Sequence, residues 1–302
     1  MLRLAGYSVL LSACLALALA GFSQDGRKEP MGASQTQSRE HHAGEEMIDL
    51  GARKLQIVRG GQGSPTVVFE YGLGGSMGGL LKFLPAVTKY TSAVSYSRAG
   101  YGASDLVSGP RTAEAVADDL EQMLTHAGFK PPYVLVGYSL GALYVRVFAI
   151  KYPNEVAGLV LVDGTPERYL LDLMAIDPQG VKRELKQLAA SNAVGFTDLK
   201  GPLGARGEWQ GLYQIWTSGS LGVAGSLPDV PMVVITGLKH EGASPLAAKI
   251  AEVKRREHAE VFQSTSYGMH IVTSKSGHDF RREPEIIANA IKWVVDAART
   301  PK

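Results

Sequence analysis

Cysteine is nearly absent from the sequence. Cys14 is the only one in 302 residues, and it lies within an N-terminal leader, so a chain that has lost the leader carries no thiol and no disulfide. Stability must then come from core packing, which a chain of this length can supply. No excess of either charge is present. The 31 Lys and Arg are mixed evenly with 29 Asp and Glu for a formal charge of +2, which argues against a phosphate-binding surface and leaves nucleic acid an unexpected partner. Clustered metal ligands are scarce too. His41 and His42 beside Glu45 and Glu46 read as a solvated tail, and no metal is expected. The remaining composition, 45% hydrophobic and 20% charged, is that of a globular protein, and the length fits one large α/β domain or two ordinary ones.

The first twenty residues, "MLRLAGYSVLLSACLALALA", put one Arg ahead of an apolar run that closes on Ala18-Leu19-Ala20. This reads as a secretory signal over 1–20 with an AxA cleavage site, and implies an exported protein, periplasmic or secreted. The apolar run is shorter than the ~20 residues of a span, so no stable membrane span is expected. The alternative is a lipoprotein: "LSAC" resembles a lipobox in which Cys14 carries a lipid anchor. Residues 21–46 are polar and show no period of two or 3.6, as expected of a flexible tether.

From Met47 onward, short runs rich in β-branched residues recur: "TVVFEY", "SAVSYS", "YVLVG", "AGLVLVD", "PMVVIT" and "MHIVTS". Segments with helical spacing separate them, which implies a mostly parallel, doubly wound sheet covered on both faces. Ahead of them "MIDLGARKLQIVRGGQGSP" reads as two antiparallel strands. A helix is expected to open at Thr112 and stop near Gly128, and the last helix to bury Ile287, Ile291 and Val294 or Val295. Residues 164–228 break the alternation. So long an excursion is read as a helical lid inserted into a core made of 47–163 and 229–302. In it Trp209, Leu212, Tyr213 and Trp216 follow i, i+3, i+4, i+7 spacing. That face docks the lid, and Trp209, Tyr213 and Trp216 are candidates to line a substrate site.

Two serines sit in GxSxG patterns, Ser139 in "VGYSLGALY" and Ser76 in "GGSMG". Only Ser139 has an apolar strand running directly into it and a helix departing from it. Such a turn forces φ > 0 at the serine and leaves no room for side chains two positions either side, where Gly137 and Gly141 stand. Four residues, Gly72 to Gly75, separate Ser76 from its strand, so no sharp elbow can hold it. The "YGLGG" stretch is suited instead to presenting backbone N–H groups toward the nucleophile.

"VVFEYGLGG", "SYSRAGYGASD", "VGYSLGALYVRVFAIKYP", "GLVLVDG" and "SGHDF" together resemble, in order and spacing, the α/β-hydrolase fold superfamily and its serine esterase and lipase-like members. The resemblance covers the chain from about Met47 to Val295. It implies an oxyanion hole made by the backbone N–H groups of Leu73 and Leu140. Tyr71 stands where the family commonly has His, and Ser97 where it commonly has Asp.

A serine nucleophile needs a histidine to take its proton and a carboxylate to orient that histidine. His278, in "SKSGHDF" just past the last apolar strand, is the candidate base. His126 sits at a helix C-terminus, His270 begins a strand, and His258 in the charged "KRREH" run reads as a solvated face. The family resemblance allows two positions for the acid. Asp163 ends a buried strand, where an unpaired carboxylate would be costly, and is favoured; Glu241, after "PMVVITG", is the alternative. The expected chemistry is acyl transfer from a small-molecule ester to water, with no metal, nucleotide or flavin required.

Overall fold

The computed structural model describes residues 44–75, 77–183, 203–239, 246–280 and 282–300. The leader with Cys14, His41, His42, Ser76, His240 and Glu241 lie outside the described residues.

Eight strands form one sheet: β1 (Glu45–Asp49), β2 (Lys54–Gly60), β3 (Thr66–Glu70), β4 (Ala93–Tyr96), β5 (Tyr133–Tyr138), β6 (Val156–Val162), β7 (Met232–Gly237) and β8 (Gly268–Thr273). Their order is β1-β2-β4-β3-β5-β6-β7-β8. β1 pairs antiparallel with β2 and β2 with β4, and every other pair is parallel. The antiparallel opening pair and the parallel remainder follow the expected reading. β1 begins at Glu45, so the last two residues of the stretch read as a tether are paired in the sheet.

The helices are α1 (Gly78–Leu81), α2 (Leu84–Val87), α3 (Ala113–His126), α4 (Leu140–Lys151), α5 (Tyr169–Ile176), α6 (Leu203–Ser218), α7 (Ala247–Phe262) and α8 (Pro284–Arg299). The Thr112 hydroxyl caps α3 by accepting from Ala115 N at 3.2 Å, which is why the helix opens there. Alternate strand residues face opposite layers. Leu135, Leu159 and Leu161 pack with α3 and α4 on one side. Val134, Val160 and Ile235 pack with Ile287, Ile291, Val294 and Val295 of α8 on the other. Strands buried on both faces explain the unbroken apolar runs.

The segment between β6 and β7 carries α5 and α6. Its aromatic face is a docking face: Trp209 and Trp216 are buried and meet edge to face at 5.7 Å, while Tyr213 is half-buried. On the other side, Glu257 of α7 reaches the inserted segment, accepting from Arg168 N at 3.2 Å, and its second carboxylate oxygen has no partner. Burial, with Asp172 and Glu167 nearby, pushes its carboxyl up to about 8. A carboxyl raised on folding stabilises below its unfolded value and loses that contribution as pH climbs through the folded one. The window here is therefore pH 4.5 to about 8. Glu257→Gln is expected to raise Tm by several degrees at pH 9 and to change it little at pH 5, read by thermal melts at the two pH values.

No helix among the described residues is long and apolar enough to cross a membrane.

Candidate active site

The strand order places the site. The chain leaves β3 toward β4 on one side and returns to lay β5 on the other, so the carboxyl ends of β3 and β5 open a crevice at the switch point. Register aligns Glu70 with Gly137 and Tyr138 with Val162. The residues just beyond each strand end are therefore brought side by side: Tyr71 and Gly72, Ser139, and Asp163.

Ser139 has φ 56° and ψ −121°, a conformation strained for any residue with a side chain. Its backbone is bonded on both sides: N donates to Val162 O at 3.0 Å, and its carbonyl accepts from Ala142 N and Thr165 N. The two elbow glycines are needed because neighbours occupy the space. A Cβ on Gly137 would lie 2.5 Å from Ala142 Cα, and one on Gly141 2.2 Å from Glu70 O. Gly141→Ala is expected to cost about 3 kcal/mol in denaturant unfolding, since α4 must back away from β3.

Asp163 also has positive φ, at 45°, and is buried. Its Oδ1 accepts from Gly237 N at 2.9 Å, and its Oδ2 accepts from both His278 Nδ1 at 2.6 Å and Lys254 Nζ at 2.9 Å. Burial alone would raise its pKa. The Lys254 ammonium and the His278 hydrogen bond outweigh burial and hold the carboxyl well below the usual range. A carboxyl depressed on folding contributes stability above its unfolded value of 3.8, lost as pH falls below it. An ionised carboxylate can only accept, so His278 Nδ1 carries the proton.

The imidazole is also fixed from its face. It stacks on Tyr138 at 5.1 Å, Tyr138 stacks on Tyr71 at 5.2 Å, and the Tyr138 hydroxyl donates to His278 O at 2.6 Å. Tyr71 thus anchors a ring stack. Cβ atoms on Gly75 and Gly79 would fall within 1.9 and 2.2 Å of its ring, so the glycine-rich stretch makes room for this tyrosine.

Ser139, Asp163, Lys254 and His278 line one cavity of about 490 Å³, counting the part open to solvent, with Tyr169 and Trp216 among its walls. Trp209 and Tyr213 do not line it. Leu140 is the first residue of α4, where an N–H has no preceding turn to bond. Gly72 lies against Ser139: a Cβ there would lie 3.0 Å from Ser139 Cβ. The alternative acid Glu241 lies outside the described residues. Among them no group of three or more His, Cys, Asp or Glu is placed to hold a metal ion.

Three residues escape a reading of the sequence. Lys254 is one; His258 and Glu257, which read as part of a solvated run, are both buried. His258 Nε2 bonds Gly164 O at 2.7 Å, its Nδ1 bonds Thr236 Oγ1 at 2.7 Å, and His270 Nε2 meets the same hydroxyl at 2.8 Å. Burial holds the His258 imidazole down to about 4, so it is neutral and braces the backbone next to Asp163. The signal is positional. Ile250, Val253, Lys254, Glu257, His258 and Val261 follow helical spacing, and that stripe faces inward despite its charges.

Residues 65–196 match a family model described as alpha/beta hydrolase fold. The uncharacterised protein YbdG of Bacillus subtilis is 30% identical over 131 residues, 41% of this chain and 39% of that protein. The chain spans less than half the length of the first curated relatives it matches. A thermophilic esterase from Thermogutta terrifontis superposes with TM-score 0.60 at 20% identity, over 85% of this chain and 99% of that one. The enol-lactonase of Burkholderia xenovorans LB400 superposes with TM-score 0.58 at 16% identity, over 83% of this chain and all of the other. At such identities the likeness is one of fold. With the family match over residues 65–196 and an eight-stranded sheet of the same architecture, the chain has an α/β-hydrolase fold.

Proposed function

We propose that the protein is a serine hydrolase that cleaves an ester-type bond of a small or medium, largely apolar substrate through an acyl-enzyme. The observation that carries this reading is Ser139, strained on its elbow, sharing a cavity with His278, whose Nδ1 is bonded to buried Asp163.

In the proposed reaction Ser139 Oγ attacks the carbonyl carbon while His278 Nε2 takes its proton. The Asp163 carboxylate holds the tautomer and stabilises the imidazolium that forms. The N–H groups of Leu73 and Leu140 receive the oxyanion, His278 returns the proton to the leaving alkoxide, and water then repeats the cycle on the acyl-enzyme. The Lys254 charge is engaged by Asp163, and Tyr169, Trp216 and Ile250 supply apolar wall, which favours a neutral substrate. Fold-level likeness to an esterase and a lactonase is compatible with this reading but does not select the bond cleaved.

Rapid-mixing kinetics with p-nitrophenyl esters of increasing acyl length test it. A burst of p-nitrophenol approaching one equivalent per chain, followed by slower turnover, is expected. Absence of both burst and turnover across esters, lactones and thioesters would leave a non-catalytic binding protein on the same fold.

A further inference from the structure

The inserted helix α6 sends one carboxylate deep into the body. Glu208 is 1% exposed and grips Arg98 with both oxygens: Arg98 Nε donates to Oε1 at 2.5 Å and Nη2 to Oε2 at 2.9 Å. Arg98 Nη1 donates to Glu70 Oε1 at 2.5 Å and Tyr71 O at 2.6 Å, and Nη2 to Gly72 O at 2.9 Å. All five guanidinium N–H groups are thus engaged. Tyr101 completes the cluster, its hydroxyl donating to Glu208 Oε2 at 2.7 Å and accepting from Gly74 N at 3.3 Å. Burying two carboxylates around one arginine is a weak way to gain stability, because desolvation consumes most of the attraction. Its geometric consequence is more specific.

Gly72 O and Leu73 N belong to one planar peptide unit, and that unit is trans. In such a unit the C=O and N–H point in opposite directions. Arg98, by holding Gly72 O, fixes where the Leu73 N–H is aimed, and its positive charge polarises that unit into a better donor. The Leu73 N–H has no hydrogen-bond partner among the described residues, and the adjoining Gly72 lies against Ser139.

We infer that Arg98, oriented by Glu208 of the inserted helix, is the positioning residue that aims the Leu73 N–H at the developing oxyanion, so that docking of α6 completes the oxyanion hole. The inference rests on the serine hydrolase reading. It makes the inserted segment part of the catalytic apparatus and not only a cover.

The test compares wild type, Glu208→Gln and Tyr101→Phe for hydrolysis of p-nitrophenyl butyrate and for inhibition by an alkyl trifluoromethyl ketone and the matching methyl ketone. With the first inhibitor, Ser139 Oγ bonds to the ketone carbon, the C=O pair moves onto oxygen as an oxyanion, and the hydroxyl proton passes to His278. The methyl ketone binds without addition. Glu208→Gln is expected to weaken the trifluoromethyl ketone and lower kcat about 30-fold, below the ~10²- to 10³-fold of losing a donor outright, with KM and methyl ketone affinity within about twofold. Tyr101→Phe should lose about fivefold in the same two quantities, and decides the matter by the same ratio if Glu208→Gln does not fold. An unchanged ratio of the two ketone affinities in a folded variant overturns the inference while leaving the serine reading intact. A wild type that no fluorophosphonate modifies overturns both.

Discussion

Replacing Ser139 with Ala is expected to lower kcat/KM for ester hydrolysis by about 10⁴-fold or more and to abolish the burst, with Tm equal to or above that of wild type. The rate falls because the acyl-enzyme route disappears and only binding and the oxyanion donors remain to assist water. Stability is expected to hold because the hydroxyl is not what fixes the elbow. The backbone bonds to Val162, Ala142 and Thr165 and the space at Gly137 and Gly141 are independent of it. A fall in activity matched by a fall in Tm would point to a structural serine.

The second large effect is expected at the acid. Asp163→Asn leaves a group of the same shape with one accepting oxygen and an amide nitrogen that only donates, so the three donors His278 Nδ1, Gly237 N and Lys254 Nζ cannot all be satisfied. The imidazole loses its tautomer control, and kcat is expected to fall about 10⁴-fold. The Lys254 ammonium, 16% exposed on its side chain, loses its counter-charge, and breaking a buried pair by removing one partner costs about 3–5 kcal/mol. Both losses are therefore expected together, unlike at Ser139, and denaturant unfolding beside kinetics separates them. Glu241→Gln is the control. If it silences the protein while Asp163→Asn does not, the acid is assigned to the wrong carboxylate.

The site is unevenly legible in the sequence, for physical reasons. Ser139, Gly137 and Gly141 are legible because an elbow is a local object: its strand, turn and helix occupy consecutive residues, and the excluded volume falls on fixed offsets. Asp163 is legible in part, since a carboxylate at the end of a fully apolar strand needs a partner, but nothing local says which residue that partner is. His278 follows from its place after the last strand. The Arg98–Glu208 pair spans 110 positions, and the Lys254–Asp163 pair 91, with no local pattern to announce either. "KRREH" misleads because charge suggests exposure, whereas α7 buries Glu257 and His258 by pairing them with backbone and a threonine. Tyr71 departs from the family pattern and is accommodated by glycines whose purpose only the ring stack makes plain.

The most direct test of the central claim is intact-mass and peptide-mapping analysis after reaction with a fluorophosphonate. One adduct per chain is expected, on the peptide that carries Ser139, formed at a rate that collapses in His278→Ala. No adduct, or an adduct on another serine while Ser139 stays unmodified, would contradict it.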